Sequence, residues 1–464
     1  MLISAHRFLT LRASLVTVTL LITVTLWTLG AVGIHAEEGE AETVSFIADV
    51  APIMVRNCEA CHGEKTSESN YRLDTFDRLM KAGDFDLAPV TAGDIDESEI
   101  VRLILAEDED ERMPNNGKRL SDKEIAAIKN WILQGANFDG QVGSGPLANQ
   151  LPRQTHPAAP DTYPVAIPVT ALAYSEDGTR LFVGGYHEIV VWDPTATSVL
   201  ARFGNVAERT LGLELSPDGS LLAVAGGAPG VSGEAKILRS DNGEEASFLA
   251  RYADVCFDIA FRPDGQQVAV ASADGSVRVF EASSGKELLK IENHSDWVMD
   301  VAWSHDGKRI ATASRDKSSK VFEAESGELV ASFSGHGAPV TSVAFLADGA
   351  QVISGGADKK IRIWKVEDAS SVAEVGGFDD EINAIIEGDG QIIAASSDRH
   401  ARQFKTEDRT LLRALSDHPD WVLSLAKHQA SQRFCTGCFD GTVTVWNLED
   451  GSQINRFAAV PGND

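Results

Sequence analysis

The clearest pattern in the sequence is a repeat of short strands that begins near Val169. Runs of alternating apolar and polar residues indicate half-buried β-strands, and five of these runs follow an Asp-Gly turn, at 175–178, 216–219, 262–265, 304–307 and 346–349. Each repeat ends a strand on a large apolar residue: Trp192, Leu238, Phe280, Phe322, Trp364, Phe404 and Trp446. A period of roughly 42 residues is typical of propeller blades. The sequence therefore predicts an all-β, seven-bladed propeller over residues 169–457.

The region before the repeats has a different pattern. Residues 42–138 are acidic and helix-prone, and Ser121 with Glu124 forms a capping-box sequence at a helix start. Apolar residues follow on one helical face at Ile125, Ile128, Trp131 and Ile132, and Gly135 is expected to end that helix. Residues 139–168 are rich in Gly and Pro and are predicted to be a linker. The chain is thus multidomain, with a small all-α domain before the propeller.

The first 36 residues are predicted to direct export. Arg7 and Arg12 precede an uncharged, apolar-rich run at 13–33, and Ala36 is a plausible cleavage point. The run is also long enough to span a bilayer. Residues 1–36 are therefore either a signal peptide or an N-terminal membrane anchor. In both cases the rest of the chain is expected in the periplasm or cell envelope.

Composition narrows the range of partners. The chain has 464 residues, 43% hydrophobic and 24% charged, with a net charge of −28. Such a chain repels nucleic acid and anionic membrane surfaces, and it favours redox partner proteins that are basic at the docking face.

The residues that carry the chemistry are Cys58, Cys61 and His62. A C-x-x-C-H run is the signature of covalent c-type haem attachment. Cysteines three residues apart lie on one face of a helical turn and can bond one porphyrin, while the adjacent histidine reaches its iron. Zinc binding or a redox dithiol are the alternatives, since both use C-x-x-C. The second such pair, Cys435 and Cys438, lies in the last repeat and is interpreted as strand packing.

The surroundings of this motif resemble the planctomycete-type cytochrome c domain over about 95 residues. The matching segments occur in the family's order, at 46–53, 71–74, 93–98, 113–114 and 131–136. This resemblance implies one covalently attached haem c, and it places the distal iron ligand at Met113. Met80 as ligand, or a five-coordinate iron, are the alternatives. His/Met ligation raises the reduction potential, which favours electron transfer among high-potential carriers.

The repeats resemble WD repeats, and this resemblance implies structural roles for several polar residues. His336, Ser354, Asp358 and Trp364 match the family's buried hydrogen-bonded tetrad. The corresponding residues of two other repeats also match, apart from Phe322 in place of Trp: His294, Thr312 and Asp316, and His418, Thr436, Asp440 and Trp446. These histidines are therefore interpreted as structural and not as metal ligands.

The single haem motif and the structural role of the repeat residues together predict an exported mono-haem cytochrome. It would carry single electrons and use its propeller as a protein-docking platform. No catalytic constellation stands out in the repeats, so an electron-transfer protein is favoured over a catalyst. One alternative is an oxidoreductase whose propeller holds a second cofactor or a substrate site fed by the haem. The other is a haem-based redox sensor or scaffold.

Overall fold

The computed structural model of the protein describes residues 43–460, except residues 65, 116–118, 141 and 152–154. The described chain contains helices up to residue 150 and strands from residue 172 onward. The predicted leader at residues 1–36 lies outside the described residues. Within the described ranges, no helix has both the length and the apolar character needed to cross a membrane.

The N-terminal helical segments are short. They comprise a π-helical turn at Phe46–Val50, a 3-10 turn at Glu68–Asn70, and the α-helices α1 Ala51–Asn57, α2 Glu59–His62, α3 Phe76–Leu79, α4 Glu99–Leu105, α5 Asp122–Leu133 and α6 Leu147–Gln150. Their apolar faces share one core, whose largest buried side chains include Phe46, Met54, Leu79, Ile128, Trp131 and Ile132. Several short helices around one core have little hydrogen bonding of their own, so packing must supply most of their stability.

The predicted start and end of α5 are confirmed. The Ser121 hydroxyl accepts a hydrogen bond from the Glu124 amide at 3.3 Å, and the Glu124 carboxylate accepts one from the Ser121 amide at 2.8 Å. This reciprocal pair satisfies two amides at the helix start. After the helix, Gly135 has a φ of 101°, which glycine adopts without a steric penalty. The apolar face also lies inward as predicted, with Trp131 1% exposed.

The remainder is a seven-bladed propeller, as the repeat predicts. Each blade is a four-stranded antiparallel sheet of consecutive strands. The first four blades contain β1 Leu172–Tyr174, β2 Leu181–Gly184, β3 Ile189–Asp193 and β4 Ser198–Phe203; β5 Arg209–Leu215, β6 Leu221–Ala228, β7 Ser232–Arg239 and β8 Glu245–Tyr252; β9 Cys256–Phe261, β10 Gln267–Ser272, β11 Ser276–Glu281 and β12 Glu287–Glu292; β13 Val298–Trp303, β14 Arg309–Ser314, β15 Ser319–Glu323 and β16 Leu329–Phe333.

The last three blades have the same arrangement. They contain β17 Val340–Phe345, β18 Gln351–Gly356, β19 Ile361–Lys365 and β20 Ser371–Val375; β21 Ile382–Gly388, β22 Gln391–Ser396, β23 Ala401–Lys405 and β24 Leu411–Leu415; β25 Val422–His428, β26 Arg433–Cys438, β27 Thr442–Asn447 and β28 Gln453–Ala458. The C-terminal segment supplies the outer strand of the last blade, because β28 pairs with β27.

Hydrogen bonds between the first and last blades close the ring. The Trp192 indole donates to the Ala459 carbonyl at 2.9 Å, and the Ser424 hydroxyl donates to the Val169 carbonyl at 2.7 Å. The Val169 amide in turn donates to the Cys438 carbonyl at 3.0 Å. The ring is thus closed by packing and hydrogen bonds between sheets that each consist of four consecutive strands.

Polar side chains also join the inner strands of neighbouring blades. Asp258 accepts a hydrogen bond from the Val301 amide at 3.2 Å, and Asp300 accepts one from the Val343 amide at 2.8 Å. Burial raises the pKa of both carboxyl groups, and the pKa of Asp258 is raised further by the charge of Asp300 and a hydrogen bond with it. These two carboxyl groups connect blades three, four and five through side chain to backbone contacts.

The stretch predicted as a linker is held against the first two blades. The Tyr163 hydroxyl donates to the Glu188 carboxylate at 2.5 Å, and Arg202 donates to the Pro160 carbonyl at 2.6 Å. His156 enters the second blade, where its Nε2 lies 2.9 Å from the Glu234 carboxylate, with both side chains less than a tenth exposed. Part of this stretch therefore serves as a strap across the propeller.

Candidate functional site

The haem-motif residues lie together on one turn. Helix α1 ends at Asn57, and the Cys58 amide still donates to the Met54 carbonyl at 2.8 Å. Helix α2 then brings the Cys61 and His62 amides to the Cys58 carbonyl, at 3.2 Å and 3.0 Å. Both thiols are free, with Cys58 half-buried and Cys61 exposed. The turn therefore offers two unbonded sulfur atoms and an imidazole from five consecutive residues, which fits covalent haem attachment.

The imidazole of His62 is oriented by residues further along the chain. Its Nδ1 lies 3.3 Å from the Tyr71 carbonyl oxygen, and the two rings meet edge to face with centroids 5.4 Å apart. The Leu73 amide donates to the His62 carbonyl at 2.8 Å and fixes the backbone. With Nδ1 held at a carbonyl, Nε2 is the nitrogen that would ligate iron. Such a contact sets the tautomer and the ring plane of a ligating histidine.

Cys58 and Tyr71, on one side of the turn, are largely shielded from solvent. Burial raises the pKa of Cys58 to about 12, and the neighbouring Cys61 adds to the effect. Burial also raises the pKa of Tyr71, with a further contribution from Cys58. Cys58 and Tyr71 both pack against the buried core of the helical region. An apolar environment of this kind suits the hydrophobic faces of a porphyrin.

The two methionine candidates for the distal position are held differently. Met113 is half-buried, and its amide donates to the Leu103 carbonyl in α4 at 3.1 Å. Met80 is also half-buried and packs against the same apolar core as Cys58 and Tyr71. Met54 is fully buried in that core, where it serves as a packing residue. The assignment of Met113 as iron ligand stays a prediction.

The acidic run at 107–111 is an exposed surface with partial ion pairing. Arg102 pairs with Glu111 at 3.4 Å and Arg112 pairs with Glu109 at 3.4 Å, and both carboxylates are more than half exposed. Such pairs contribute little to stability because solvent screens them. Nowhere in the described ranges do three or more His, Cys, Asp or Glu side chains group in a way that could hold a metal ion.

The structure also places part of the third blade beside the haem motif, a feature that the sequence did not predict. Lys290 in β12 pairs with Glu64 at 3.4 Å. Burial raises the pKa of Glu59 to about 7, Asp74 adds to this, and the positive charges of Arg278 and Lys290 oppose it. Nothing in the repeat pattern distinguishes Lys290 from other charged strand residues, so no sequence signal could have identified this contact.

The histidines of the repeats have structural partners. His336 contacts Asp358 at 3.1 Å and Ser354 at 2.8 Å, and His294 has the same two contacts with its own blade's Asp316 and Thr312, at 2.8 Å and 2.7 Å. His418 departs from the pattern: its Nε2 lies 3.0 Å from the Thr436 hydroxyl, but its Nδ1 lies 3.2 Å from the Arg399 carbonyl. The structural interpretation of these three residues is confirmed.

The second C-x-x-C pair is also structural. Cys435 and Cys438 are fully buried in β26, and the sulfur of Cys435 lies 2.8 Å from the Tyr174 hydroxyl in the first blade. Burial raises the pKa of both thiols to about 12. They pack the strand where the ring closes, as predicted.

Comparison with known families agrees with both resemblances. Residues 58–117 match the family described as Planctomycete cytochrome C, a segment that begins at the first motif cysteine and includes Met113. Four segments match the WD domain, G-beta repeat: 247–281, 285–323, 327–365 and 409–447. No curated protein matches the chain. The chain therefore combines a cytochrome c-like segment with a WD-repeat propeller.

Proposed function

We propose that this protein is an exported mono-haem c-type cytochrome that carries single electrons, with its propeller as a platform for protein partners. The observation that carries the proposal is the turn at residues 58–62, where two free thiols and an oriented imidazole lie within five residues. The cytochrome c-like match over residues 58–117 supports it. We assign residues 42–138 to a small all-α cytochrome c domain.

Each residue of the site has a separate role in this proposal. Cys58 and Cys61 would form the two thioether bonds, and His62 and Met113 would be the axial ligands. The Tyr71 carbonyl orients His62 through Nδ1, and the buried helical core holds the turn in place. The bound haem would supply a reversible one-electron iron couple, which His/Met ligation shifts towards higher potential.

Export and docking belong to the same proposal. The run at 13–33 would deliver the chain to the periplasm or cell envelope, as a cleaved signal or as an anchor. The linker at 139–168 would connect the two domains. The net charge of −28 would attract basic redox proteins over distances of the order of the Debye length.

The decisive experiment is a pyridine haemochrome spectrum of the polypeptide after acid-acetone extraction. Haem bound through sulfur stays with the polypeptide, and we expect one haem per chain. A Cys58→Ala, Cys61→Ala double variant should lose the colour. The matched control is Cys435→Ala, Cys438→Ala, which removes the same spacing from β26 and should keep the haem. A colourless wild-type polypeptide from a host that matures c-type cytochromes would refute the proposal.

The distal ligand is tested separately. Ferric haem with a methionine ligand has a weak near-red charge-transfer band, which should disappear in Met113→Ala and remain in Met80→Ala. The opposite result would move the assignment to Met80 and leave covalent attachment unaffected.

A further inference from the structure

Two blades of the propeller carry the same Asp-Trp pair immediately before the inner strand. Asp296 and Trp297 precede β13, and Asp420 and Trp421 precede β25. In each pair the tryptophan amide donates to the aspartate carboxylate at 2.8 Å. Because the blades repeat one geometry around the ring, equivalent positions lie on the same face of the propeller.

A third residue in each blade approaches the tryptophan from the turn after the second strand. In the fourth blade this residue is Arg315, whose amide donates to the Trp297 carbonyl at 2.9 Å. In the seventh blade it is Phe439, whose amide donates to the Trp421 carbonyl at the same distance. Arg315 and Phe439 are therefore equivalent, and the two sites differ chiefly in this side chain.

The fourth blade shows what kind of side chain binds to the Asp-Trp pair. The Arg315 guanidinium lies over the Trp297 ring, 4.4 Å from its centroid, and its Nε is 3.8 Å from the Asp296 carboxylate. This is a cation–π contact next to an opposite charge, a combination that favours guanidinium groups. The other ring near Trp297 is Phe257, at 5.3 Å. Trp297 is accordingly half-buried.

The seventh blade has the same pair with Phe439 at the position that Arg315 occupies in the fourth. Trp421 is 43% exposed and Phe439 is 46% exposed, and their ring centroids lie 5.3 Å apart at 53°. Over the ranges that the structure describes, no arginine is stacked on Trp421. Two adjacent exposed aromatic rings form a contiguous apolar patch with a polar rim, which is the kind of surface that marks interaction sites.

The charge around this site also favours a cation. The neighbouring sixth blade contributes Asp380 and Glu381 at the position equivalent to Asp420 and Trp421, and the Asp380 carboxylate, 51% exposed, lies 3.9 Å from the Lys359 amine. Asn383 joins the two blades there, because its side-chain amide donates to the Val422 carbonyl at 2.8 Å. The chain as a whole has a net charge of −28.

We propose that Asp420, Trp421 and Phe439 form a binding site for an arginine side chain of a basic partner protein. The arginine takes the place that Arg315 occupies in the fourth blade, stacked on the indole with the carboxylate beside it. This inference deepens the docking role proposed for the propeller. It identifies both the face that is used and the side chain that is recognised.

The test uses the full chain and two synthetic peptides, one with five arginines spaced by glycine and one with citrulline in place of each arginine. Citrulline keeps the shape of arginine but removes its charge. Titration calorimetry should show binding of the arginine peptide that weakens as salt rises, and little binding of the citrulline peptide. Trp421→Ala should weaken binding about fivefold, the factor that corresponds to loss of one cation–π contact at an exposed site.

Two further variants use the equivalence of the blades. F439R should weaken peptide binding to a similar extent, because the new guanidinium fills the site from within the chain. Arg315→Phe should instead open the fourth-blade site and raise the number of peptides bound. Leu411→Ala removes a comparably exposed apolar side chain from the outer strand β24, and it should bind like wild type. Far-UV circular dichroism verifies that each variant is folded.

Several outcomes would overturn the inference. These are equal binding of both peptides, no binding of the arginine peptide, or unchanged binding by Trp421→Ala or F439R. Sedimentation that shows a dimer lost in Trp421→Ala, without peptide binding, would assign the face to a second copy of the chain. Haem content is measured on the same samples, and the Cys58→Ala, Cys61→Ala variant should still bind the peptide. Failure of the haem proposal and failure of this site are therefore distinguishable.

Discussion

Lowering the pH is expected to destabilise the propeller through His418. Two successive hydrogen bonds determine which ring nitrogen of His418 carries the proton. The Trp446 indole donates to the Thr436 hydroxyl at 2.9 Å, and this hydroxyl lies 3.0 Å from Nε2 of His418. The other ring nitrogen, Nδ1, lies 3.2 Å from the Arg399 carbonyl and must donate to it. Nε2 is therefore the acceptor in a neutral ring, and a proton there would displace the hydrogen bond from Thr436.

The size of the effect follows from the pKa of the buried ring. Burial lowers the pKa of His418 from 6.5 to about 4, and the nearby positive charge of Arg456 also favours the neutral form. Because the folded-state pKa is the lower one, the unfolded chain binds the proton first. This stabilisation is fully present above about pH 6.5 and is lost as the pH falls towards 4. At about 1.4 kcal/mol per pKa unit, the limiting loss is about 3 kcal/mol, of which about 2 kcal/mol is reached at pH 5.

The assay is urea unfolding followed by far-UV circular dichroism at pH 7.5 and pH 5. Wild type should lose about 2 kcal/mol more than His418→Gln between these two values. Other titrating groups are shared by both proteins and cancel in the difference. His305, exposed in the turn before β14, provides the control for changing a histidine elsewhere. If His418→Gln loses as much stability as wild type on acidification, then the buried ring does not carry the effect.

Three smaller predictions concern the helix cap, the ring closure and the strap. Ser121→Ala should lower the stability of the helical region by about 1 kcal/mol, whereas Ser121→Asp keeps a capping oxygen and should stay near wild type in thermal unfolding. Trp192→Phe removes the hydrogen bond to the Ala459 carbonyl, so hydrogen exchange of the β28 amides should accelerate by about fivefold; unchanged exchange would exclude a closing role. His156→Ala should speed proteolysis within residues 155–165, because the contact with Glu234 holds this strap; a cleavage rate equal to wild type would show that Tyr163 suffices.

Local patterns in the sequence were enough for most of the architecture. A seven-fold repeat with period-2 strands has few ways to bury its apolar face other than a ring of sheets, and this is why the blade count was predictable. The cap of α5 and its buried face depend on residues within a few positions of one another. The turn at 58–62 was predictable for the same reason, since both cysteines and the histidine lie within five residues.

Contacts between distant residues were decided only by the tertiary structure. The Tyr71 carbonyl at His62, the Lys290 amine at Glu64 and the His156 ring at Glu234 each join segments whose separation has no periodic signature. The stacking of Arg315 on Trp297, and of Phe439 beside Trp421, likewise appears only in the folded blades. Short-range backbone preferences select helices, strands and turns, whereas such pairings depend on how whole elements pack. Packing is a collective property of the chain, and no single segment encodes it.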